Sequence, residues 1–213
     1  MLGISHFTDF IIHLDDYLLL IVNDYGFLTY LILWLIIFCE TGLVLTPFLP
    51  GDSLLFVVGT LAAMGLLKVG LLFGLLFLAA VVGDTVNYWL GHFIGPKIFN
   101  KEDSRLFNKK YLERAFRFYQ KYGGQTIVLA RFVPFLRTFV PFVAGMARMN
   151  YWLFIVYNIL GGFLWVGIFI FGGYFFGNLP FVKDNFTLFI LGIIFVTLIP
   201  PVFRLIKKPK RSE

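Results

Sequence analysis

Glu40, Asp52, Arg131 and Arg137 stand inside long apolar stretches, each close to Pro or Gly residues that break helices. A charged side chain deep in a bilayer costs about 2.5–3.5 kcal/mol on insertion scales, so such groups face a protein interior or a wet cavity and find partners there. Two acids and two bases sum to zero, which suggests that they pair with one another. Arg131 and Arg137 are six residues apart and share no face of a continuous helix. The intervening Pro134 permits a bend that brings both guanidinium groups to one point. Planar, permanently charged and bidentate, two guanidiniums suit a phosphate. The competing reading makes them structural counter-ions of Glu40 and Asp52, and a site can rest paired and open for substrate. Glu40 has no capping role nearby and is either a proton-coupling acid or a fixed partner of an Arg. Asp52 follows Pro50-Gly51 and precedes Ser53-Leu54-Leu55, which also fits a helix N-cap.

Asp84, Asn87 and Tyr88 lie on one polar strip of a later apolar segment, where interhelical hydrogen bonding competes with transport chemistry. Arg148 reads as an interfacial anchor. His92 stands alone and reads as structural, and Cys39 as a small packing residue. His6, Asp9, His13 and Asp16 recur at helical spacing and read as a solvated face rather than a metal site. No H-E-x-x-H, G-x-S-x-G, P-loop or Cys/His cluster is present, so neither an enzyme nor a bound metal or cofactor is expected.

The elements that must position these residues follow from composition. Of 213 residues, 59% are hydrophobic, 20% aromatic and only 14% charged, against about 25% charged in soluble domains. The chain therefore reads as an all-α integral membrane protein forming a single membrane domain over 1–213. Residues 1–67 carry six acids and no Lys or Arg, whereas 96–125 and the tail are rich in both. The positive-inside rule places both basic blocks, and hence the C-terminus, in the cytoplasm. Topology explains the basic charge, so nucleic acid is not expected as a partner.

Residues 1–26 form an amphipathic interfacial helix on this reading. Residues 28–67 hold two apolar runs around Pro47, Pro50 and Gly51, each too short for a simple span, and fit a re-entrant hairpin. Residues 69–95 cross the membrane, and 96–125 form a basic cytoplasmic connection whose helix, 109–122, stops at Gly123-Gly124. Residues 127–149 repeat the broken apolar theme around Pro134, Pro141 and Gly145, giving a second re-entrant hairpin. Residues 151–177 and 186–203 cross again, before the basic cytoplasmic tail at 204–213. Gly161-Gly162 and Gly172-Gly173 offer close helix packing.

Pro47-Phe48-Leu49-Pro50 echoes Pro134-Phe135-Leu136-Arg137, so each half is a hairpin plus a span. With the basic loop inside, the two hairpins enter from opposite faces, the inverted-repeat plan that places substrate between broken helices. The N-terminus is then outside; a full crossing by 28–49 puts it in the cytoplasm instead.

The ordered motifs carry a family resemblance. Glu40-Thr41-Gly42-Leu43, Pro47-Phe48-Leu49-Pro50-Gly51-Asp52-Ser53-Leu54-Leu55, Arg131-Phe132-Val133-Pro134, Arg137-Thr138, Pro141 and Ala144-Gly145 resemble the DedA family, also called VTT or SNARE-associated. The likeness extends over Gly83-Asp84, Asn87-Tyr88, Gly91 and Gly172-Gly173-Tyr174-Phe175-Phe176-Gly177. It implies a bacterial inner-membrane protein with two opposed re-entrant hairpins. Bacterial members of that family are implicated in returning undecaprenyl phosphate across the membrane, and are tied to proton motive force, envelope integrity and cell division; eukaryotic relatives are phospholipid scramblases. The family's essential acids match Glu40 and Asp52, and its essential arginines match Arg131 and Arg137. The expected function is a flippase for a lipid phosphate with membrane lipids and protons as partners. A general phospholipid scramblase and a proton-coupled small-ion antiporter are the alternatives, and homo-oligomer formation is left open.

Overall fold

The computed structural model describes residues 26–43, 51–99, 116–117, 119–133, 136–184 and 192, with side chains in the second stretch described to residue 95. Among these residues all regular structure is helical. The elements are α1 (Phe27–Gly42), α2 (Gly51–Ala63), α3 (Val69–Phe99), a 3-10 turn (Gly123–Gln125), α4 (Thr126–Ala130), α5 (Leu136–Met146), α6 (Tyr151–Gly177) and α7 (Pro180–Asp184). The expected interfacial helix at 1–26 except Gly26, the span at 186–203 except Gly192, the tail at 204–213, and Pro47, Pro50 and Pro134 lie outside the described residues.

Two segments, Val69–Gly95 and Tyr151–Gly177, are long and apolar enough to cross a membrane. Both sit where continuous apolar sequence places them, and α3 runs on to Phe99. At 1.5 Å per residue, 27 residues reach about 40 Å, more than the ~30 Å hydrocarbon core. Each carries large apolar side chains that no protein covers: Phe93 is 66% exposed, Trp152 76% and Phe175 69%. Surface of that kind calls for lipid rather than water. The 16 residues of α1, 13 of α2 and 11 of α5 are each too short to cross alone.

The chain divides into two compact units. One comprises Tyr30–Gly51 and Gly70–Ile168; the other includes Asp52–Val69 and the chain from Phe169 onward.

In the first unit α3 is the central helix, and glycine lets its neighbours approach. A Cβ on Gly91 would overlap the Phe142 carbonyl, one on Gly145 the Tyr88 carbonyl, and one on Gly83 the Thr41 side chain. Small residues at such crossings let backbones touch where no hydrophobic effect drives them together. Gly145, expected as a hairpin break, is thus a contact glycine inside α5. Pro141 also differs from expectation, since it lies within α5 rather than breaking it. It deletes a single donor, the one directed at the Arg137 carbonyl, and residues 138–145 around it are all buried. Burial of that stretch holds the helix together despite the missing bond.

The core of this unit gathers Tyr88, Ile127, Phe139, Phe142, Val143 and Phe154. Two caps fix the junction between α5 and α6. Arg148 adopts φ 53, and the N–H groups of Arg148 and Met149 bond to the Gly145 and Ala144 carbonyls, both at 3.0 Å. This is the Schellman closure, with Arg where Gly is usual. Asn150 then caps α6, its Oδ1 accepting from the N–H groups of Trp152 (2.9 Å) and Leu153 (3.3 Å). Upstream, residues 119–122 are helical and Gly123 follows at φ 57, as the expected stop signal requires.

In the second unit α2 packs on the last two turns of α6. A Cβ on Gly59 would overlap the Ile170 carbonyl, and one on Gly173 the Phe56 carbonyl. Thr60 Oγ1 donates within reach of the Phe56 and Gly173 carbonyls, at 3.1 and 3.2 Å. Helix α2 ends in its own Schellman closure, with Gly65 at φ 82 and Leu66 N–H bonding to Leu61 at 3.2 Å. Asp52 occupies the first turn of α2, one residue inside the start at Gly51. There its charge meets the positive end of the helix, where the sequence suggested an N-cap.

Candidate functional site

Helix α4 ends at Ala130, and the chain tightens into a three-residue hydrogen-bond pattern. The N–H groups of Arg131, Phe132 and Val133 bond to Val128, Leu129 and Ala130 at 3.3, 3.3 and 3.0 Å. Helix α5 restarts at Leu136. This break carries Arg131 and Arg137 to a common place. The Arg131 guanidinium carbon lies 5.9 Å from the centre of the Trp165 ring, and that of Arg137 lies 5.5 Å from it. Both fall within cation–π range of a single indole.

Each guanidinium has its own acid. Arg137 Nη2 pairs with Glu40 Oε1, and the same oxygen accepts the Gly51 N–H at 3.1 Å. Gly51 is required there because any Cβ would overlap the Glu40 carboxylate. Arg131 Nη2 pairs with Asp84 Oδ2 at 2.5 Å and donates to Asn158 Oδ1, also at 2.5 Å. Asn158 is itself held from behind, its Nδ2 donating to the Val81 carbonyl at 3.0 Å. Gly161 leaves space for the Arg131 stem, which a Cβ would approach to 3.1 Å.

The structure gives each of the two guanidiniums a different element's carboxylate. Glu40 does pair with Arg137, but the partner of Arg131 is Asp84, which the polar strip on α3 offered only as a hydrogen-bonding group. The strip itself divides by role. Asp84 enters the charged cluster. Asn87 donates to the Thr41 and Thr138 carbonyls, at 3.1 and 2.7 Å. Tyr88 donates to the Met149 carbonyl and belongs to the core. Asp52 lies in the other unit and is described there.

Thr41, Asp84, Arg131, Arg137 and Trp165 line a cavity of about 10 Å³, room for about one water. The cluster is deeply buried: Glu40, Asp84, Arg131 and Trp165 are all at least 96% buried. The two pairs differ in access. The Arg131 side chain is 3% exposed and that of Arg137 is 12%. Chemically the arrangement is a neutral cluster whose two cations share one aromatic face, with one of them closer to the surroundings. Arg137 is the cation of the two that an incoming anion could reach more directly. Among the described residues no three His, Cys, Asp or Glu side chains gather as a metal site would.

Trp165, Asn158 and Thr41 did not emerge from sequence reasoning. Asn158 carried the same signal as Asp84, a polar residue within an apolar span, whereas Trp165 is one aromatic among many.

Residues 49–175 match the family model of the VTT domain. The chain is 52% identical over 206 residues to Protein DedA of Escherichia coli strain K12, across 96% of this chain and 94% of that one. The chain belongs to the DedA family. Uncharacterized membrane protein Rv0364 of Mycobacterium tuberculosis H37Rv is 49% identical over 168 residues, 78% of this chain and 74% of its own. Inner membrane protein YqjA of Escherichia coli K12 is 36% identical over 151 residues, 71% and 69% of the two chains. No solved structure matches the chain. DedA-family membership, membrane-protein relatives and two long lipid-compatible helices together make this a membrane protein.

Proposed function

We propose that this DedA-family protein is a flippase for a lipid phosphate, above all undecaprenyl phosphate recycled across the bacterial inner membrane, driven by protons. The observation that carries the reading is the pair of guanidiniums on one buried indole, each neutralised by a separate carboxylate. A phosphate monoester brings about −1.5 to −2 charge near neutral pH and three acceptor oxygens. Such a group matches two Arg forks better than it matches any other charge set. The resting cavity is too small for a phosphate, so admission requires a pair to open. The Arg137–Glu40 pair opens, because it is the more accessible and Arg131 has a second anchor in Asn158. Protonation of Glu40 releases Arg137 to the headgroup, and deprotonation on the opposite side returns it. Asp52 serves as a second coupling acid at the head of α2. The prenyl tail stays in the bilayer throughout.

The architecture that goes with this function is a single membrane domain. Its α1–α2 and α4–α5 hairpins are re-entrant and opposed, and α3 and α6 span. The basic connection and the C-terminus lie in the cytoplasm.

Proteoliposomes with labelled undecaprenyl phosphate test the proposal. The wild-type protein moves the label, faster when the entry side is acidified, and Arg137→Ala stops it. Normal movement by the Arg131→Ala, Arg137→Ala double variant overturns the reading. Equal movement of ordinary phospholipids without proton dependence makes the protein a general scramblase. Ion flux in vesicles lacking carrier lipid makes it an antiporter.

A further inference from the structure

The two members of the switching pair, Glu40 on α1 and Arg137 on α5, are 97 residues apart in sequence. Each is followed by a threonine, Thr41 and Thr138. The carbonyls of these two threonines accept from one group, the Asn87 side-chain amide on α3. Asn87 Nδ2 has two hydrogens, and the two bonds at 3.1 and 2.7 Å use both. The amide orientation follows from these partners, because a flipped side chain would aim its oxygen at two carbonyl oxygens. Asn87 is fully buried, as are Thr41 and Thr138 to within 5%. Among the described residues its Oδ1 has no hydrogen-bond partner. A buried amide that leaves its acceptor unmet is held by its donors alone.

We propose that Asn87 is the positioning residue of the site: one amide, bonded to the backbone beside Glu40 and beside Arg137, sets the register in which the two charges meet. The clamp grips backbone rather than the charged groups, so it persists when the pair opens and returns Arg137 to the same place afterwards. The inference rests on the reading of Glu40–Arg137 as the switching pair, and it assigns to Asn87 an effect on that pair which core packing alone does not predict. Loss of both donors lets α1 and α5 slip past each other on α3, and the Arg131–Asp84 pair, anchored through Asn158, stays in place.

Solid-state NMR of 15N-arginine-labelled protein in bilayers reads this without any transport assay. The guanidinium signals of Arg131 and Arg137 are assigned with Arg131→Lys and Arg137→Lys, and the unpaired position of Arg137 is defined by Glu40→Gln. In Asn87→Leu, which keeps the branched shape and removes the donors, the Arg137 signal moves toward its Glu40→Gln position while that of Arg131 holds. Transport in the same protein falls by about tenfold to a hundredfold, the range a small misplacement produces. If Asn87→Leu does not assemble, Asn87→Ser, smaller and unable to span both carbonyls, gives the same reading. An Arg137 signal unmoved in a folded variant overturns the clamp. A moved signal in a protein that never transports a lipid phosphate leaves the clamp standing and removes the function proposed above.

Discussion

Arg131 and Arg137 look alike in sequence and differ in kind in the structure. Arg131 is locked between Asp84 and Asn158, and Arg137 shares Glu40 with a backbone N–H. Removing one partner of a buried pair leaves an uncompensated charge and costs about 3–5 kcal/mol. Arg131→Ala therefore lowers the thermal unfolding midpoint in detergent sharply. The Arg131→Gln, Asp84→Asn double variant, which removes both charges and keeps hydrogen-bonding groups, recovers most of the loss without recovering transport. Trp165→Phe keeps an aromatic face but a weaker one, so it slows transport while the folded yield stays near wild type. At this scale the sequence marks which charges stand in apolar runs, but not which acid meets which Arg. A charge in an apolar run announces itself, which is how Glu40, Arg131 and Arg137 were found. The match of Arg131 with Asp84 spans 47 residues and depends on how α4 leans on α3, which no local pattern encodes.

Among the elements, glycines decide where helices touch. Gly145 has no room for a Cβ beneath the Tyr88 carbonyl, whereas Gly74 faces open space on α3. Gly145→Ala is expected to destabilise by about 1–3 kcal/mol, as overpacking does, and Gly74→Ala to stabilise by about 0.5–1 kcal/mol. Opposite shifts in unfolding midpoint for the same chemical change are the check. The α5–α6 junction offers a second pair. Asn150→Ala removes a cap and costs about 1 kcal/mol. Arg148→Gly relieves a left-handed residue and gains about 1 kcal/mol. The long apolar helices at 69–95 and 151–177 were legible because apolar runs of that length have few alternatives. Pro141 and Gly145 were misread because Pro and Gly signal breaks only where a helix is not buried on several sides. The interior of α5 is buried throughout from Thr138 to Gly145.

For the whole molecule, the uneven charge is the strongest guide. With six acids and no Lys or Arg before residue 68, and basic residues concentrated at 96–125 and in the tail, the positive-inside rule predicts a cytoplasmic C-terminus. A reporter cysteine at Ser212, in a Cys39→Ala background, is expected to react in intact cells with membrane-permeant reagents only. Labelling by an impermeant reagent reverses the orientation. The fold class was legible for the same reason, since composition at this extreme admits few solvents.

The cavity between the paired charges admits about one water. An ion keeps several waters around it and cannot pass through such a chamber without shedding them. On the proposed transport reading, a resting copy is closed to hydrated ions at this point.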